Sequence, residues 1–210
     1  MNNTMLIGLS RQVALQRELD GVANNVANVA TNGFRRRGAA FAEHVMPGAR
    51  GDHMASANRS LSFGVDAGTV LDTSPGTIEK TGNPLDVALR GEGFFTVQTP
   101  QGERYTRNGA LSLNADGDLV TMDGHQILGE QGVFTFTAAD GGITISGDGT
   151  VSTQQGVRGK LKLVRFADPQ KLESLGGNLL AAATPPEPVG QTTRIESGAV
   201  ERSNVSPVAE

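Results

Sequence analysis

Paired carboxylates, histidine clusters and glycine-rich loops are the materials of catalytic and ligand sites, and this chain carries a trace of each. Asp86 and Glu92 stand six positions apart with a turn between them, so nothing brings them to acid–base spacing. Gly91-Glu92-Gly93 lacks the third glycine of a phosphate loop and precedes a strand instead of a helix. It reads as a turn that admits Phe94-Phe95 to a core. Asp116-Gly117-Asp118 and Gly147-Asp148-Gly149 alternate acid and glycine as calcium loops do, without the twelve-residue ligand spacing or a nonapeptide repeat. Tight-turn chemistry accounts for both. His44, His53 and His125 are scattered, with no second ligand at metal spacing. The absence of cysteine removes thiolate nucleophiles, Cys-based zinc sites and disulfides. The expectation is therefore no catalytic, cofactor-binding or metal residue, and no small-molecule substrate. Arg35-Arg36-Arg37 reads as a solvated loop end; any role for it is pairing with an acidic neighbouring subunit. A net charge of −4 argues against nucleic acid.

The elements that would position any such residues follow from composition. Glycine fills 28 of 210 positions, aromatics make up 4% and the hydrophobic fraction is 37%. That apolar supply suits one or two modest domains, not one large core. No run approaches the roughly 18 apolar residues of a membrane span. The opening Met1-Asn2-Asn3-Thr4 carries no positive charge, and no small-residue cleavage site follows Met5–Leu9. Taken alone this reads as cytoplasmic, although a chain exported uncleaved by a dedicated machine has the same appearance.

Three patterns divide the chain. Residues 1–34 hold no proline, and Leu15, Leu19, Val22, Val26 and Val29 recur every three or four positions, the period of a helix. The pattern predicts a helix over 4–30, about 40 Å long at 1.5 Å per residue, stopped by Thr31-Asn32-Gly33. Residues 35–75 lose that period and read as an extended connector with strand character at 61–63 and 65–71. From 76 to 185 short β runs alternate with glycine: Phe94–Val97, Leu119–Met122, Val133–Phe136, Ile143–Ile145 and Leu161–Val164. Asp-Gly pairs at 116, 123, 140 and 148 supply tight turns. The reading is a single antiparallel β domain, followed by a polar return segment over 186–210. The fold class is α+β, mostly β.

The helix carries the most informative physics. From Gly21 to Gly33 it has no charged residue. Leu15, Leu19, Val22, Val26 and Val29 fill one sector, Ala23, Ala27 and Ala30 the next, and Asn24, Asn25 and Asn28 most of the rest. A helix on the surface of a soluble domain shows water a charged face. In one reading the valine stripe packs on the β domain and the asparagines face solvent. In the other, neighbouring helices enclose the segment, the stripe packs against them, and Asn24, Asn25 and Asn28 bond laterally. Three asparagines within five positions lower helix propensity, which favours the second reading. Such a helix is marginal alone and is expected to be poorly ordered in the free subunit.

Residues 23–34, Ala-Asn-Asn-Val-Ala-Asn-Val-Ala-Thr-Asn-Gly-Phe, resemble the N-terminal signature of bacterial flagellar rod and hook proteins. Three further blocks resemble that family in the same order. They are Thr81–Val97, which includes Thr81-Gly82-Asn83-Pro84-Leu85-Asp86; Tyr105–Leu111 with Asp116–Val120; and Glu196–Val205. The short connector and single β domain look most like the proximal rod proteins, with the distal rod proteins second. The resemblance implies a structural subunit whose terminal helices pack side by side within a hollow rod while the β domain lies outside them. It implies an assembly surface at Leu15, Leu19, Val22, Val26, Val29, Asn24, Asn25 and Asn28, with Gly33-Phe34 as the helix exit. Implied partners are copies of the chain, other rod subunits and the flagellar type III export apparatus. The implied location is the basal body, in the periplasm, reached without a cleaved signal. In the family the Ser-Asn-Val segment leads into an amphipathic C-terminal helix, and that helix is expected to be missing here. A β-rich carbohydrate-binding module is the alternative from another class, and an enzyme ranks third.

Overall fold

The structure is a computed structural model, and it describes residues 2–46, 61–190 and 192–206. A single α-helix, Asn2–Ala27, opens the chain. It ends three residues earlier than the spacing predicts, because the last turns tighten: Asn28 N–H bonds Asn25 O at 3.0 Å and Thr31 N–H bonds Asn28 O at 3.1 Å. Such three-residue closures commonly finish a helix. Among the described residues, no helix is long and apolar enough to cross a membrane.

Strands Arg37–Met46 and Leu61–Leu71 then form a long antiparallel hairpin, in register from Arg37↔Leu71 to Met46↔Leu61 with one irregularity at Ala40/Phe41. The hairpin lies against the helix. The strand character foreseen at 61–71 is present. Its partner, Arg37–Met46, has no clean alternation of apolar and polar residues and escaped the sequence reading.

The β domain is antiparallel. Its largest sheet runs, in spatial order, through Glu173–Gly176, Leu179–Ala181, Gly102–Thr106, Phe94–Thr99, Gln126–Gly129, Leu119–Thr121 and Leu111–Leu113. A smaller sheet joins Thr144–Ile145, Thr150–Thr153 and Gly156–Lys160. The Asp-Gly pairs at 116, 123 and 148 sit in the turns, with Gly117, Gly124 and Gly149 at φ of 84°, 84° and 90°. The limited apolar supply is split between two clusters. One is built on Phe95, Val97, Leu119, Ile127, Val151 and Leu161. The other is built on Phe94, Tyr105, Phe166 and Leu180, with the Tyr105 and Phe166 rings edge to face at 4.8 Å.

The end of the chain is less polar in its surroundings than in its sequence. Arg194–Ser197 pairs antiparallel with Val87–Arg90, and Ala199–Glu201 pairs with Ile78–Lys80. Ile195, Ala199, Val200 and Val205 are buried. The last described residues therefore complete the β structure instead of skirting it.

Candidate functional site

The helix turns a particular side toward the rest of the chain. Ser10, Ala14, Gly21, Val22 and Asn28 are half-buried, whereas Leu15 and Leu19 are 52% and 68% exposed and Val26 is 47% exposed. The helix thus meets its own chain mainly through small and polar residues and leaves most of its leucine–valine stripe in water. Leu9 and Val13, on another side, are exposed as well. Val29, beyond the helix proper, is half-buried.

The three asparagines part company. Asn24 is exposed. The Asn28 side chain donates to Asn24 O at 2.8 Å and accepts from the Thr31 hydroxyl at 3.2 Å, finishing the helix locally. Asn25 is 1% exposed. Its Nδ2 donates to Arg37 O at 2.9 Å, and its Oδ1 accepts from Arg37 N–H at 3.0 Å. A carboxamide offers a donor and an acceptor side by side, so one asparagine can match one backbone unit. Asn25 is thereby engaged within the chain, in a pair of bonds that pins the helix end to the first hairpin strand.

At the exit, Phe34 is buried beneath the Arg37 guanidinium, which lies 5.6 Å from its ring centroid. Gly33 has φ +70°, and a Cβ there would stand 2.5 Å from Arg107 C and Asn108 N. Two requirements thus select glycine: a left-handed backbone and the direct passage of another backbone. Gly33 N–H also bonds Glu201 O at 2.7 Å, and Asn32 Oδ1 accepts from Arg202 at 3.0 Å.

Beneath the exit lies a buried ion cluster. Arg35, Arg107 and Glu201 have side chains only 5%, 6% and 1% exposed. Arg35 Nη2 stands 2.7 Å from Glu201 Oε1, and Arg107 Nε stands 3.7 Å from Oε2. Gly76 N–H donates to Glu201 Oε1 at 2.9 Å. Arg35 also donates to Ser74 O, and Arg107 to Gly91 O at 2.7 Å. Burial lowers the Arg35 pKa against the opposing pull of Glu201. Burial likewise lowers Arg107 to about 10, with Glu201 opposing and Arg35 adding to the shift. Asn204 closes the group: its Oδ1 accepts from Arg36 N–H at 2.6 Å, and its Nδ2 donates to Asp72 O and Ser74 O. The solvated loop end expected at Arg35–Arg37 is thus an anchor. Charge in a triple-arginine run suggests exposure, and no local pattern reveals a carboxylate 166 positions away.

Asp86 and the Gly91-Glu92-Gly93 turn serve structure, whereas His53 and the side chain of His44 lie outside the described residues. Asp86 accepts from Thr81 Oγ1 at 2.6 Å and Asn83 Nδ2 at 3.1 Å. Gly91-Glu92-Gly93 is the turn before a core strand, with Phe95 fully buried behind it. A cleft of about 340 Å³ opens beside the anchor, walled partly by Leu71, Phe94, Phe166 and Arg165. Its arginines are engaged, Arg165 with Glu187 at 2.8 Å. Among the described residues no three acidic or histidine side chains group as a metal site.

The four sequence blocks meet at this anchor. The block at 23–34 ends in Gly33-Phe34, the block at 81–97 brings the Gly91 carbonyl that accepts from Arg107, the block at 105–111 brings Arg107, and the block at 196–205 brings Glu201 and Asn204.

Comparison with known proteins follows the same division. Residues 5–35 match the model of the flagella basal body rod protein family, and residues 88–153 match that of the flagellar hook protein FlgE/F/G D1 domain. The chain is 39% identical to the flagellar basal-body rod protein FlgF of Caulobacter vibrioides and 33% identical to that of Mesorhizobium japonicum. In each case the match covers 100% of this chain and 85% of the relative. It is also 33% identical to the flagellar basal-body rod protein FlgG of Bacillus subtilis, over 98% of this chain and 86% of that one. With relatives of this identity spanning all of it, the chain belongs to the flagellar basal-body rod protein family.

Proposed function

We propose that this chain is a structural subunit of the flagellar basal-body rod, of the FlgF (proximal) type, and that its work is mechanical instead of catalytic. The observation that carries the reading is the exposed stripe of Leu15, Leu19 and Val26 on a helix whose base is anchored by buried bonds. Apolar side chains are stable in water only singly and become stable as a row when another helix covers them. In the rod, copies of this chain and related subunits supply that cover. Val22 and Val29 extend the seam toward the exit, and Asn24 bonds across it. The β domain forms the outer layer, and torque passes between the two through the anchor. Each interface contributes modestly, so the load is shared among many. The basal body places the chain in the periplasm, and the flagellar export apparatus delivers it there.

The FlgG (distal) reading remains the second choice. The FlgF relatives cover the whole chain, at up to 39% identity, whereas the FlgG relative covers 98% at 33%.

The test is Val26→Asp, introduced at a position half in water. The purified variant should melt like the parent, because exposed substitutions usually change stability by no more than about 0.5 kcal/mol. A strain depending on it should be non-motile, because the carboxylate would be buried unpaired in every copy. A fully motile strain would overturn the proposal.

A further inference from the structure

We infer that Glu201 is a positioning residue: it sets the direction in which the assembly helix leaves the β domain. The inference rests on the rod reading for its consequence but not for its test. Three separate segments converge on this one side chain and its own carbonyl. The helix exit contributes Arg35 at 2.7 Å and Gly33 N–H, the end of the connector contributes Gly76 N–H at 2.9 Å, and the 105–111 block contributes Arg107 at 3.7 Å. Among the described residues, Glu201 is the one carboxylate facing both buried guanidiniums at contact distance, and it is itself almost fully enclosed. Removing it would leave two buried cations facing each other. They would separate by moving whatever is easiest to move, which is the exit, since Arg107 lies in the packed β domain. The close passage of Gly33 over Arg107 and Asn108 leaves no slack for a small adjustment.

A helix held by a hinge has many directions, and a helix held by this cluster has one. A rod subunit needs one, because each copy must present the same stripe at the same angle to its neighbours. The cluster is therefore a registration device for assembly in addition to a stabiliser.

The test uses the absence of cysteine. Spin labels are placed on the full chain at Ala27→Cys, at the end of the helix, and Asp123→Cys, in a β-domain turn; both positions are exposed. The parent should give one narrow distance distribution. Glu201→Gln, close in shape but uncharged, should widen it about two-fold or split it, as expected when a buried ion pair loses one partner. Arg35→Lys keeps the charge but loses the fork that reaches both Glu201 and Ser74, and should also widen it. Asp140→Asn breaks a different ion pair, between the buried Asp140 and the exposed Arg158, inside the β domain. It should lower the melting temperature and leave the distribution narrow. If Glu201→Gln fails to fold, Arg35→Lys carries the test. Unchanged widths in the folded anchor variants overturn the inference, as does equal widening in Asp140→Asn. A narrow distribution together with lost motility would refute the positioning role and leave the rod reading standing.

Discussion

Gly33→Ala is the smallest perturbation that should disturb the anchor, and its cost can be worked from the structure. The backbone at Gly33 has φ +70°, where an L side chain costs about 1–2 kcal/mol. The added methyl would stand 2.5 Å from Arg107 C, 2.5 Å from Asn108 N and 2.7 Å from Arg107 O. All three are backbone atoms, so no rotamer change relieves the contact, and overpacking of this kind costs about 1–3 kcal/mol more. The total is about 2–5 kcal/mol, a large share of the 5–15 kcal/mol typical of a domain. The chain can limit that loss by lifting the exit away, which sacrifices the 2.7 Å bond from Gly33 N–H to Glu201 O. Thermal melting should fall by roughly 4–20 °C at about 2–4 °C per kcal/mol for this size. Amide exchange at residues 33–37 should accelerate beyond the global change. Gly33→Asn separates the contributions, since asparagine tolerates the left-handed region but carries the same Cβ. It should recover only the smaller part. A Gly33→Ala protein that melts within 2 °C of the parent, with its exit still protected, would refute the reasoning.

Further outcomes follow from other contacts. Phe34→Ala removes a buried ring beneath Arg37 and should cost about 3–5 kcal/mol in chemical denaturation. Asn25→Ala leaves the Arg37 N–H and carbonyl without their partner, so Arg37 exchange should rise sharply while exchange in the Phe94–Thr99 strand follows only the global change. In the parent, amide protection should fade from the anchored residues near 25 toward the exposed half of the helix near residue 9, measurable by native-state exchange. Asp72, Asp118 and Asp148 are held below the usual carboxylate range, chiefly by hydrogen bonds from Ser74, from Thr135 and Gln126, and from Thr150. Each stabilises the fold when ionised. That contribution is complete above the ordinary aspartate pKa of about 3.9 and is lost as pH falls through the lower folded values. Melting temperature should therefore be flat down to about pH 5 and decline below about pH 4, and Asp148→Asn should make the decline shallower.

Much of the fold was legible because local rules governed it. The three- to four-residue recurrence from Leu15 to Val29 marks the helix, and Asp-Gly pairs mark the turns at 116, 123 and 148. The turn reading of Gly91-Glu92-Gly93 stands for the same reason, with Phe95 buried behind it. The anchor was not legible. Arg35, Arg107 and Glu201 are charged residues in polar surroundings, and sequence assigns such residues to water. Their burial depends on mutual pairing across most of the chain. Asn25 and Asn28 look equivalent in sequence, three apart on one helix; the hairpin's first strand happens to lie beside one and not the other. Gly102–Thr106 and Ala199–Glu201 are strands because neighbouring strands complete them, not because their own alternation demands it.

The anchor also imposes a chronology. Arg36 is held by Asn204, 168 positions later, and Gly33 by Glu201. A ribosome makes the first of these long before the second. Until Glu201 and Asn204 have been synthesised, the opening helix rests on the hairpin alone and its exit lacks the bonds that fix it to the far end of the β domain. Closure of the helix exit is thereby tied to the arrival of residues 201–204, however early the helix itself is made.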